Sequence, residues 1–137
     1  MNRLPFEVKR IVLTSNPDNL DAVAQFVKEI DARQSISPQV YPNILITLTE
    51  AVANAIHHGN KADCNKKIAI DCKINPARLT FRISDEGNGF NHRKLPDPTT
   101  PDRIDKEDGR GVFIMKQLSD KVSYRNKGRT VIIQFSL

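Results

Sequence analysis

Between residues 68 and 83 the apolar side chains fall on every second position twice in succession, a period that suits strands and not helices. Ile68, Ile70, Cys72 and Ile74 alternate with Lys67, Ala69, Asp71 and Lys73, and Leu79, Phe81 and Ile83 mark the return after Asn75-Pro76. Two half-apolar strands joined by a turn need a second layer against their apolar face. Helical segments can supply it. Leu20, Val23, Ala24, Val27 and Ile30 recur at helical spacing, behind a strand from Val8 to Thr14 that stops at Ser15-Asn16-Pro17. A second helix is expected to open at Ser37-Pro38, with Ser37 as N-cap and Pro38 in the first helical position, and to run to about His58 before Gly59.

A polar stretch from Asn91 to Asp108, broken by Pro96, Pro98 and Pro101, is expected to be a loop of unusual and therefore functional length. Gly109-Arg110-Gly111 then leads into a short helix carrying Val112, Met115 and Leu118. Two last strands, about Lys121–Arg125 and Thr130–Phe135, meet at Asn126-Lys127-Gly128. The order β-α-α-β-β-loop-α-β-β predicts one domain over residues 1–137. Its fold class is an α/β (α+β) two-layer sandwich, with helices on one face of a mixed, mostly antiparallel sheet.

Composition removes several function classes. No apolar run reaches the roughly 18–20 residues of a membrane helix, and no long apolar segment follows the N-terminal Met1-Asn2-Arg3-Leu4-Pro5, so a cytoplasmic protein without a membrane partner is expected. Cys64 and Cys72 make neither a disulfide framework nor a zinc site, because no histidine stands near them at ligand spacing. Cys72 reads as a small core residue and Cys64 as part of a polar turn. The formal charge is +5, but the basic residues are scattered and no aromatic ladder accompanies them, which argues against direct nucleic-acid binding.

Three constellations carry possible chemistry. On the second helix Glu50, Asn54 and His58 share one face at i, i+4 and i+8, while Ile44, Leu48, Val52 and Ala55 occupy the other. A solvated polar face would look the same. Asp85-Glu86-Gly87-Asn88-Gly89 follows an apolar strand directly, placing a carboxylate beside backbone that can approach a planar ring closely. An ordinary turn uses the same residues. Gly109-x-Gly111 before a helix offers backbone N–H donors to phosphate oxygens, yet it is neither a P-loop nor a Rossmann glycine motif.

Taken in this order, Glu50-x-x-x-Asn54, Asp85-x-Gly87-x-Gly89 and Gly109-x-Gly111 resemble the Bergerat, or histidine-kinase-like, ATP-binding family. Within it, the segments from Thr49 to Asn60 and from Gly111 to Lys116 are similar to the anti-sigma-factor serine kinases, and the likeness extends from about Val8 to Leu137. The resemblance implies ATP and Mg²⁺ as cofactors. Asp85 would accept a hydrogen bond from the adenine amino group, and Gly87 and Gly89 would let backbone close over the base. Thr130, after Gly128-Arg129, would support the adenine contact. Asn54 would hold Mg²⁺, with His58 and Val112 completing the pocket, and Gly109, Arg110 and Gly111 would meet the phosphates. Residues 91–108 would form a lid. Glu50 would act as general base on the attacking hydroxyl.

The family's serine kinases carry an arginine in the lid near the second glycine box. Glu107 and Asp108 stand there in this chain, so Arg103 or Arg110 would reach the terminal phosphate after lid closure, with Lys106 as a further candidate. The resemblance therefore implies an anti-sigma regulator that sequesters a sigma factor and phosphorylates a Ser or Thr of its antagonist, as a homodimer. Two alternatives stay open: a non-catalytic nucleotide-dependent binding module, which the missing arginine favours, and a stand-alone histidine-kinase catalytic domain. The last lacks a helix pair bearing a phospho-accepting histidine, since His57 and His58 lie within the ATP box.

Overall fold

A computed structural model describes residues 7–87 and 107–137, with backbone alone for 107–110. Its elements are β1 (Glu7–Thr14), α1 (Asp21–Arg33), α2 (Tyr41–Asn54), β2 (Lys67–Asn75), β3 (Arg78–Ser84), α3 (Glu107–Leu118), β4 (Lys121–Arg125) and β5 (Thr130–Ser136). The five strands form one sheet in the order β1-β2-β3-β5-β4. Every described pairing is antiparallel, so the sheet expected to be mixed is antiparallel throughout these residues.

The alternation in the sequence decides which face is covered. Ile68, Ile70 and Cys72 on β2, Leu79, Phe81 and Ile83 on β3, and Ile133 and Phe135 on β5 are buried with Val23, Phe26, Val27 and Ile30 of α1 and Ile44, Leu48 and Val52 of α2. Phe81 and Phe135 meet edge to face at 6.0 Å between ring centroids, a favoured aromatic geometry. Burial pushes the Cys72 thiol up to about 12, in keeping with an inert core residue, while Cys64 is exposed.

The start of α2 differs from the expectation. Residues 38–40 form a turn, Val40 caps the helix without a side-chain bond, and Pro42 takes the early helical position. Ser37 contributes its carbonyl, which accepts from the N–H groups of Val40 and Tyr41 at 3.0 Å each. A helix opening at Pro38 would carry Pro42 into its second turn, where the ring strikes the carbonyl four residues earlier.

The opposite sheet face is uncovered among the described residues. Register places Arg10, Lys67, Lys73, Arg78, Arg82, Lys121 and Arg125 on it, all exposed, with Asp71 as its one carboxylate. That surplus exceeds the +5 of the whole chain. Cations scattered along the sequence are thus gathered by the pleat. Among the described residues no helix is long and apolar enough to cross a membrane.

Candidate functional site

The site begins where α2 changes pitch. After Asn54 the chain makes one π-helical turn over Ala55–Gly59, closed by the N–H of Asn60 donating to the carbonyl of Ala55 at 2.8 Å. Such wide turns are rare and frequent at functional sites. The expected helix up to His58 is therefore α-helical only to Asn54. The wider turn leaves His57 and His58 exposed and carries Gly59 against Asp85.

Asn60 holds this corner in place. It is fully buried, and its amide nitrogen donates to Ser15 Oγ at 2.6 Å and to the Lys67 carbonyl at 3.0 Å. Its Oδ1 accepts the N–H of Glu86 at 2.8 Å. One side chain thus ties the ends of β1 and β2 to the segment following β3. The next two residues, Lys61 and Ala62, both have φ of 55°, an uncommon conformation for residues with a β-carbon.

Asp85 leaves β3 with its N–H bonded to the Arg129 carbonyl at 2.9 Å, and its Oδ1 accepts the N–H of Gly87 at 2.8 Å. Burial raises the pKa of its carboxyl, opposed by the Gly87 N–H and then by the positive charges of Arg129 and Lys66. A β-carbon on Gly59 would collide with this carboxylate, and one on Gly87 would collide with the Gly59 carbonyl. Gly87 is required for that close approach and not for a left-handed φ.

Asp85 opens onto a pocket of about 220 Å³. Ala51, Ala55, Ile83, Val112, Met115 and Val131 give it apolar walls, while Asn54, His58, Lys61, Asp85, Tyr124 and Arg129 supply polar groups. Apolar walls with a few convergent polar groups suit a flat ring system. Glu50 stands further along α2, where a β-carbon on Gly111 would lie 3.0 Å from its Oε2 and 3.3 Å from Asn54 Nδ2. Glu50 and Asn54 thus converge on α3 at Gly111.

The structure brings Asn54, His58, Asp85 and Val112 into one pocket, with Gly87 and Gly111 packed at its edges. Two expectations change. Thr130 does not line the pocket: it faces the other side of the sheet, hydrogen-bonded to Ser84 Oγ at 3.1 Å and to Asn126 Nδ2 at 3.0 Å. Its strand neighbour Val131 lines the pocket instead, because successive residues of a strand point to opposite faces, and Arg129 joins it from the helical turn just before β5. Gly109 and Gly111 do not precede α3 but sit within it, since the helix starts at Glu107. Free amides belong to the first turn of a helix, so Gly111 supplies space and the residues before it supply donors.

Gly89 and Arg103 lie outside the described residues, as does the expected lid apart from its last two residues, which already belong to α3. The side chain of Arg110 is likewise outside the description. Sequence reasoning did not single out Lys61, Tyr124 or Arg129. For Arg129 no local signal exists, since it stands in a helical conformation just before β5 and outside its alternation.

A family model described as the histidine kinase-like ATPase domain matches residues 13–135. The chain belongs to that family. As a member it is similar to the serine-protein kinase RsbW of Bacillus subtilis, 27% identical over 118 residues, which cover 82% of this chain and 74% of the relative. The anti-sigma F factor of Clostridium perfringens is 26% identical, with 82% of this chain and 81% of the relative covered. A solved structure of the RsbU and RsbW domains of a Mycobacterium tuberculosis protein superposes with a TM-score of 0.66 at 15% identity. It covers 98% of this ATPase domain, which spans 33% of the mycobacterial chain, and shares its fold.

Proposed function

We propose that this histidine kinase-like ATPase domain is an anti-sigma regulator that binds Mg·ATP and phosphorylates a serine or threonine of a partner protein. One observation carries the reading. Asp85 stands at one end of an apolar pocket, and the Glu50–Asn54 pair stands at the other, against α3. A nucleotide lying along α2 with its base on Asp85 directs its phosphates toward Glu50.

The residues present fit a magnesium ion that arrives with the triphosphate. Asn54 offers one neutral oxygen and Glu50 one carboxylate beside it, and no group of three or more His, Cys, Asp or Glu among the described residues could hold a metal by itself. Magnesium keeps waters and phosphate oxygens as most of its ligands, so such a sparse donor set is adequate. When bound, the ion neutralises charge on the phosphate oxygens.

In transfer, the partner's hydroxyl oxygen bonds to the terminal phosphorus as the bond to the bridging oxygen breaks and ADP leaves. Glu50 accepts the hydroxyl proton, one helical turn from the metal-holding Asn54. Positioning and charge neutralisation carry most of such a reaction. The relative named an anti-sigma F factor supports a sigma factor as partner, while the antagonist protein and a cytoplasmic location rest on the family resemblance. A homodimer rests on the family resemblance.

A second reading, a nucleotide-dependent binding module without transfer, is favoured by the carboxylates Glu107 and Asp108 standing where related kinases carry an arginine. Calorimetric titration with ATP, ADP and GTP, with and without Mg²⁺, tests the nucleotide site. Transfer of labelled phosphate to the antagonist protein tests the kinase. Glu50→Gln is expected to bind ATP nearly as wild type and to lose transfer. ATP binding without transfer in the wild type would establish the second reading.

A further inference from the structure

Arg129 lies on the wall of the pocket beside Asp85, and nothing in the nucleotide reading yet uses it. The register of β3 with β5 ends at the pair Ser84 and Thr130, and just beyond it the Arg129 carbonyl accepts the Asp85 N–H at 2.9 Å. Arg129 lines the pocket together with Val131, while Thr130 between them faces away, and the positive charge of Arg129 acts on the Asp85 carboxyl.

The guanidinium is also oriented. Its Nε donates to the carbonyl of Asn126 at 3.1 Å, across a turn in which Asn126, Lys127 and Gly128 have φ of 52°, 59° and 87°. With Nε occupied, the two terminal nitrogens keep their donors for another acceptor. Asp85 and Arg129 therefore give the base end of the pocket an acceptor and, at its exposed edge, a donor.

That order matches one edge of adenine. The exocyclic amino group is a donor and the adjacent ring nitrogen N1 is an acceptor. Guanine in the same pose would turn its O6 toward the carboxylate and its N1–H toward the guanidinium, so both contacts would be mismatched. We propose that Arg129 donates a hydrogen bond to N1 of the adenine ring and is the second specificity-determining residue of the site, beside Asp85. This proposal rests on the nucleotide reading given above.

The test pairs one ligand atom with one side chain. ATP and 1-deaza-ATP, in which N1 is replaced by C–H, are titrated into wild type, Arg129→Met and Arg129→Lys, with thermal unfolding recorded for each protein. The wild type is expected to bind 1-deaza-ATP roughly ten- to a hundredfold more weakly than ATP, the range for a hydrogen bond to a charged group. Arg129→Met is expected to bind both nucleotides alike, at about the strength of wild type with 1-deaza-ATP. Arg129→Lys keeps the charge and loses the planar fork, and is expected to recover only part of the discrimination.

An undiminished preference for ATP in Arg129→Met would overturn the proposal. So would an equal loss for both nucleotides that Arg129→Lys restores, since that marks attraction to the phosphates. A wild type that is folded and binds no ATP would overturn the nucleotide reading itself, and this proposal with it.

Discussion

The carbonyl of Gly59 occupies the space in which Gly87 would carry a β-carbon, and the carboxylate of Asp85 does the same for Gly59. The π-turn ending α2 and the segment following β3 are thus in direct contact, with no side chain between their backbones at Gly87.

The two glycines predict different failures. Alanine at Gly87 meets backbone, which cannot swing aside, so Gly87→Ala is expected to cost about 1–3 kcal/mol of stability and to weaken nucleotide binding. Alanine at Gly59 meets a side chain, so Gly59→Ala is expected to displace Asp85 and reduce ATP affinity more than stability. Denaturant unfolding and titration calorimetry on both variants separate the effects.

Asp85 links function to pH. Burial raises its carboxyl pKa in the folded state, so the folded protein binds this proton more tightly than the unfolded chain does. Stability from this group is therefore greatest at low pH and is lost as pH rises through the folded pKa. Asp85→Asn, which keeps an oxygen for the Gly87 N–H, is expected to unfold at a higher temperature than wild type at pH 7 and to lose its preference for ATP over GTP. A lower melting temperature in that variant would contradict the assignment of burial as the dominant cause.

Asn60→Ala removes three hydrogen bonds and leaves the donors and acceptors they satisfied at a buried corner. A loss of about 2–4 kcal/mol is expected, from the cost of unsatisfied buried polar groups. Asn60→Asp keeps an acceptor for the Glu86 N–H but sets a carboxylate against the Lys67 carbonyl, and is expected to be no better. Urea unfolding measures both.

Gly111→Ala places a methyl group 3.0 Å from Glu50 Oε2. It is expected to lower phosphotransfer at least tenfold with a smaller change in ATP affinity, because Glu50 stands outside the wall of the base pocket. Single-turnover transfer at saturating ATP reads this directly.

In the native protein a thiol reagent is expected to modify Cys64 and leave Cys72 untouched, since Cys72 is buried and its thiol is held near 12. Mass analysis of the labelled chain shows one adduct if this holds and two if the sheet opens.

Much of the fold is legible in local sequence. Period-two alternation placed β2 and β3 within a residue or so, because that signal is local. The start of α2 differs because Pro42, and not Pro38, takes the early helical position. Thr130 was misassigned for a different reason. The family resemblance pointed to Thr130, but which of two neighbouring residues faces a pocket depends on strand register, and one step reverses the face.

The sequence by itself determined the two-layer architecture and the order of the three boxes, because hydrophobic periodicity and glycine chemistry act over a few residues. Tertiary structure alone decided that Asn60 ties three segments together, that Arg129 stands beside Asp85, and that seven scattered cations share one sheet face. Those relations join residues far apart in the chain. They exist only once strands are paired, since pairing fixes which side chains meet across the sheet.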